Sequence, residues 1–110
     1  MKLYRILHKP TGLYYQNSKR WEISSLGPKG KIYKRYIDVN PDYMNDPKNI
    51  MSLSITNGLY KKIKDVLDSC GYKKERCIRS PHLQEIGIDR FDTWIYYAPV
   101  TDFEIIEKDI

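Results

Sequence analysis

The chain is poor in metal-binding and redox side chains. Its 110 residues include two cysteines and two histidines. Cys70 and Cys77 have no CxxC partner, and His8 and His82 lie far apart, which excludes the usual zinc spacings. No apolar run reaches the roughly 18 residues of a membrane span. Phosphate-loop spacing and dinucleotide fingerprints are also missing, as are internal repeats and low-complexity tracts. Met1-Lys2-Leu3-Tyr4-Arg5 enters strand-like alternation at once, without the apolar stretch and small-residue cleavage site of an export signal. The expectation is a cytoplasmic protein without cofactor or metal, in which Cys70 and Cys77 are free thiols.

Acidic residues are scarce at one end. Residues 1–36 hold nine Lys and Arg against a single acid, Glu22, whereas the remainder holds ten bases against thirteen acids. The first third therefore carries the whole positive excess of a chain whose net charge is +5. Such asymmetry fits an anionic partner or a merely solvated basic face. Ten tyrosines, each with an apolar body and a polar tip, suit half-buried strands and binding surfaces equally.

The length is that of one domain, residues 1–110. Residues 2–8 alternate, with Leu3, Arg5 and Leu7 on one face and Tyr4, Ile6 and His8 on the other. A turn at Lys9-Pro10-Thr11-Gly12 returns the chain into a strand over 13–16. Leu26-Gly27-Pro28-Lys29-Gly30-Lys31 reads as a second turn, residues 32–37 as a strand, and residues 38–52, with two prolines, as a long irregular loop. Leu59, Ile63, Val66, Leu67 and Cys70 share one helical face, which predicts a helix over 57–70 with Thr56 or Asn57 as cap and Gly71 as its left-handed end. Ser80 and Pro81 can open a short helix over 81–86. Residues 93–98 and 103–107 are rich in strand formers. The sum predicts an α+β fold: an antiparallel sheet of about five strands with one main helix on one face.

Candidate chemistry is thin. The 27–31 turn has the glycines and lysines of an anion-binding nest, but Pro28 removes a donor and no helix follows. His8, His82 and the carboxylates Asp89, Asp92, Asp102 and Glu104 suggest no catalytic set, and Cys77 between Arg76 and Arg79 has no base beside it. The chain is read as non-enzymatic. The stronger feature is aromatics interleaved with bases. Tyr15, Lys19, Arg20, Trp21, Lys29, Lys31, Lys34 and Arg35 are the candidate binding residues, with Trp21, Tyr15 and Arg20 as anchors by residue type.

The hairpin Tyr4-Arg5-Ile6-Leu7-His8-Lys9-Pro10-Thr11-Gly12-Leu13-Tyr14-Tyr15, the Gly30-Lys31-Ile32-Tyr33 segment and the ending Asp102-Phe103-Glu104-Ile105-Ile106-Glu107 resemble small accessory proteins of large tailed bacteriophages. The resemblance covers about the first third and last tenth of the chain. It implies a protein made in a bacterial cytoplasm that binds and modulates or inhibits a host or defence component, a protein or ribonucleoprotein. Two other functions are compatible with the same residues. One is direct binding of single-stranded nucleic acid by the basic aromatic surface; the other is capture of a small phosphorylated ligand by the 27–31 turn.

Overall fold

The computed structural model describes residues 1–16, 24–56, 61–77 and 93–110. Their fold is α+β, with two antiparallel sheets in place of the expected single one. Strands β1 (Lys2–His8), β2 (Leu13–Tyr15), β3 (Leu26–Gly27) and β7 (Phe103–Asp109) form a four-stranded sheet in the order β3-β2-β1-β7. Strands β4 (Ile50–Thr56), β5 (Lys73–Cys77) and β6 (Thr93–Pro99) form a three-stranded sheet in the order β4-β6-β5.

The alternation of β1 decides the first sheet. Ile6 and His8 are buried on its inner face, while Leu3, Arg5 and Leu7 remain partly exposed on the outer one. Gly12, at φ 70°, closes the expected hairpin by donating its N–H to the His8 carbonyl. On the other side β7 pairs with β1 over its full length, so Ile105 lies opposite Ile6 inside and Ile106 opposite Arg5 outside.

The second sheet has one apolar face. Leu53 and Ile55 of β4 lie opposite Tyr96 and Trp94 of β6; Leu53, Ile55, Tyr96 and Ala98 are fully buried. Helix α2 (Lys61–Ser69) packs against this sheet through Leu67, which is fully buried, and ends at Gly71 in the left-handed conformation its position predicts. Ile63 is only partly buried against the core. Leu59 and the Asn57 cap lie outside the described residues, as does the expected 81–86 helix.

A single core runs through both sheets, because Leu26, Val100 and Phe103 join the inner residues of one to those of the other. The 3₁₀ turn Val100–Asp102 carries β6 directly into β7. The segment predicted as a strand over 32–37 makes only a single bridge, Tyr33 to Tyr4. Beyond it Arg35 grips Asp38 in a paired hydrogen bond at 3.0 and 3.1 Å, and the chain coils into a 3₁₀ turn at Tyr36–Val39. The expected irregular loop 38–52 instead contains the short helix α1 (Pro41–Met44) and the start of β4. Val39 and Met44 enter the core, so this excursion covers part of the first sheet's inner face.

Candidate functional site

The outer face of the four-stranded sheet presents side chains from three strands and one loop. Alternation and register place Leu3, Arg5 and Leu7 beside Tyr14, Ile106 and Lys108. The Arg5 guanidinium lies 3.9 Å above the Tyr14 ring and reaches the Lys29 carbonyl at 3.4 Å. Leu3, Ile32 and Ile110 form the apolar floor of a hollow of about 190 Å³, with Arg5 and Lys108 at its rim. Ile32 and Ile110 are 55% and 72% exposed.

The sequence-predicted residues divide into three groups. Lys29, Lys31, Lys34 and Arg35 are exposed, and Lys29 adjoins Arg5. Arg35 is held by Asp38, so its charge is locally matched. Tyr15 lies on the opposite side: it pairs with the buried Leu26, packs against the core, and burial pushes its phenol pKa up. Lys19, Arg20 and Trp21 lie outside the described residues. Arg5 belongs to the bases interleaved with aromatics in the sequence, whereas Ile32, Lys108 and Ile110 are not among its candidates; Lys108 and Ile110 join Arg5 only through the pairing of the two chain ends.

The 27–31 turn is committed to structure. Lys31 donates its N–H to the Tyr15 carbonyl at 2.9 Å, and Pro28 has no N–H to offer an anion. Gly30 is at φ 67°, where a Cβ would stand 2.3 Å from the Tyr14 Cβ; only glycine lets the turn lie this close to β2. Lys31 in turn places its ammonium 5.0 Å from the Tyr33 ring centre.

A second polar cluster lies inside. His8 Nδ1 meets the Thr11 hydroxyl at 2.8 Å, and His8 Nε2 meets the Tyr72 hydroxyl at 2.9 Å. Tyr72 donates to the Asp102 carboxylate. Burial holds the His8 pKa at about 4 despite the opposing pull of Asp102. Burial, then the hydrogen bond to Asp102, pushes the Tyr72 phenol well above its ordinary range. At neutral pH the imidazole is uncharged and the phenol protonated, so the chain links the first hairpin, the start of β5 and the β6–β7 turn. It resembles a catalytic relay in residue type, but none of these four side chains lines the hollow between Arg5 and Lys108. Cys70 is a free thiol.

Among the described residues, no group of three or more His, Cys, Asp or Glu is placed to hold a metal ion, and no helix is long and apolar enough to cross a membrane. No family model, curated protein or solved structure matches the chain.

Proposed function

We propose that this chain is a non-enzymatic binding protein whose basic outer sheet face engages an acidic protein surface. One observation carries the reading: the hollow floored by Leu3, Ile32 and Ile110 and rimmed by Arg5 and Lys108. An apolar floor between two cations suits an apolar anchor flanked by carboxylates, the arrangement that gives a small interface both energy and orientation. Lys29, whose carbonyl accepts from Arg5, adds positive charge beside it, and the exposed Lys31 and Lys34 add to the charge of the same segment, which favours fast encounter with an anionic partner. The resemblance to phage accessory proteins makes a bacterial host or defence component the partner to seek.

A protein partner is favoured over a single strand of nucleic acid by the state of the rings. Tyr14 already carries Arg5 on its face, and Tyr33 has Lys31 beside it. Base stacking needs free ring faces. The 27–31 turn is a weaker phosphate site because its Lys31 N–H is already bonded.

The test is capture from bacterial lysate on the immobilised chain, with and without nuclease, repeated with Lys29→Glu/Lys31→Glu and with Ile32→Asp. A partner that survives nuclease, is lost from both variants and elutes with rising salt supports the proposal. A partner released by nuclease moves the function to nucleic acid. Equal capture by parent and variants makes this face a solvated surface and nothing more.

A further inference from the structure

The edge of the four-stranded sheet formed by β7 has a defined pattern of free backbone groups. Tyr4 and Tyr33 exchange both main-chain hydrogen bonds, at 2.9 and 2.8 Å, so the peptide groups of Tyr4 point away from β7. Alternation then turns Leu3, Arg5 and Leu7 toward β7, and their partners Lys108, Ile106 and Glu104 back toward β1. The N–H and C=O groups of Ile105 and Glu107 therefore point outward. Among the described residues no strand pairs with this edge. A groove of about 590 Å³ runs beside it, with Phe103, Glu104, Ile105 and Glu107 on one wall and Tyr36 and Met44 on the other.

We propose that this edge pairs antiparallel with the same edge of a second copy of the chain, about a two-fold axis at Ile106. The pattern of outward groups restricts the possible registers, because Ile105 and Glu107 must meet residues of like parity. The register centred on Ile106 pairs all of Phe103–Asp109 with itself. It sets Ile105 opposite Glu107 of the second copy as a hydrogen-bonded pair, twice by symmetry, and Ile106 opposite its own counterpart on the outer face. It also sets Glu104 opposite Lys108 of the second copy, again twice. Both of these side chains are exposed.

This charge order selects the occupant. Charged residues on a sheet edge normally discourage pairing with a foreign strand. Here they repel most strands but complement their own sequence reversed. Glu107 is also held by Lys2 at 3.1 Å, which limits carboxylate repulsion near the axis. The pair would form one continuous eight-stranded sheet and place the basic outer faces of two copies side by side.

Sedimentation equilibrium on the purified chain tests the inference without any other partner. The expected result is a reversible shift from 13.1 kDa to twice that mass as concentration rises, with amide exchange at Ile105 and Glu107 slowing in step. Glu104→Lys and Lys108→Glu should each weaken association by about tenfold or more, because each places like charges opposite one another at two symmetric positions. The double variant Glu104→Lys/Lys108→Glu should restore it. A chain that stays monomeric to about 1 mM, or a double variant no better than the singles, overturns the proposal. Dimerisation without protection of Ile105 and Glu107 overturns it as well. Circular dichroism of each variant confirms that the fold is kept.

Discussion

Ser25 and Ser54 stitch the two sheets together. The Ser25 N–H donates to the Ser54 carbonyl and the Ser54 N–H donates to the Ser25 hydroxyl, both at 2.9 Å. Ser25 is nearly buried, and its own carbonyl accepts from Gln16 N–H at the end of β2. One residue thus satisfies the outer edge of β4 and continues the pairing of β2. Ser25→Ala leaves the Ser54 N–H without its acceptor and should cost about 1–3 kcal/mol in urea unfolding. Ser54→Ala keeps both of these bonds and should cost less. Equal losses would mean that the serine pair does not join the sheets.

Asp68 does for α2 what Ser25 does for β4. Its carboxylate accepts from Lys64 at 3.0 Å, Lys74 at 2.8 Å and the Tyr96 hydroxyl at 2.7 Å, tying the helix to β5 and β6. Burial alone would raise its pKa, but the hydrogen bonds from Lys74, Tyr96 and Lys64 outweigh it and hold the carboxyl at about 2. The ion pairs are partly exposed and contribute little by themselves. The larger effect comes from Tyr96, a fully buried residue whose hydroxyl loses its acceptor in Asp68→Ala. That variant should lose about 1–3 kcal/mol. Tyr96→Phe in the same background should return part of the loss, since no buried donor is then left unmatched. A double variant no more stable than Asp68→Ala would refute this account.

Much of the first sheet and the central strand of the second are legible in the sequence: β1, its hairpin turn, β2 and β7, and β6, all show strand-former enrichment or alternation strong enough to read locally. β3 is hidden in a segment that reads as a turn, and β4 and β5 are missed for different reasons. In β4 the apolar Met51, Leu53 and Ile55 alternate with two serines over a stretch too short to stand out between a proline-rich segment and a helix. In β5, Lys73-Lys74-Glu75-Arg76 has no apolar face at all; it is a strand because β6 pairs with it and Lys74 lies 4.9 Å from the Trp94 ring centre. The converse error, a strand over 32–37, arose because Ile32, Tyr33, Tyr36 and Ile37 are strand formers. On that side β1 is already paired with β2 at Leu7 and His8 and bridged to Tyr33 at Tyr4, and the Arg35–Asp38 pair bends the chain away. The candidate site was half legible. Charge asymmetry located the basic end, but Lys108 and Ile110 reach it only through strand pairing at the other end of the chain.

The helix offers a sharper version of a sequence expectation. Leu59, Ile63, Val66 and Leu67 share one helical face in the sequence, yet of the three described, Leu67 is fully buried while Ile63 and Val66 are only partly so. Leu67→Ala should therefore cost about 2–5 kcal/mol, and Ile63→Ala distinctly less, as cavity size follows burial. Chemical denaturation of the two variants decides it. Equal midpoints would place the core face of α2 between the two residues rather than on Leu67.

Burial of His8 should make the fold sensitive to acid. The imidazole is fully buried, its ring 4.9 Å from that of Phe103, and both nitrogens are engaged by Thr11 and Tyr72. Its pKa is about 4 in the folded chain against 6.5 for a free imidazole. Above the higher value neither state binds the proton and stability does not change with pH. Between the two values the unfolded chain takes up the proton and the folded chain does not, so stability falls as pH falls. The loss from about pH 6.5 to about pH 4 should reach up to about 3 kcal/mol. Below that window the folded form also protonates, and a charged His8 can no longer accept from the Thr11 hydroxyl. Urea unfolding at half-unit steps of pH measures the slope, and His8→Gln provides the comparison: glutamine offers a donor and an acceptor but does not titrate. The variant should start less stable at neutral pH and show a flatter profile down to about pH 4. If parent and variant lose stability in parallel over this range, the sensitivity belongs to other groups and His8 is not its source.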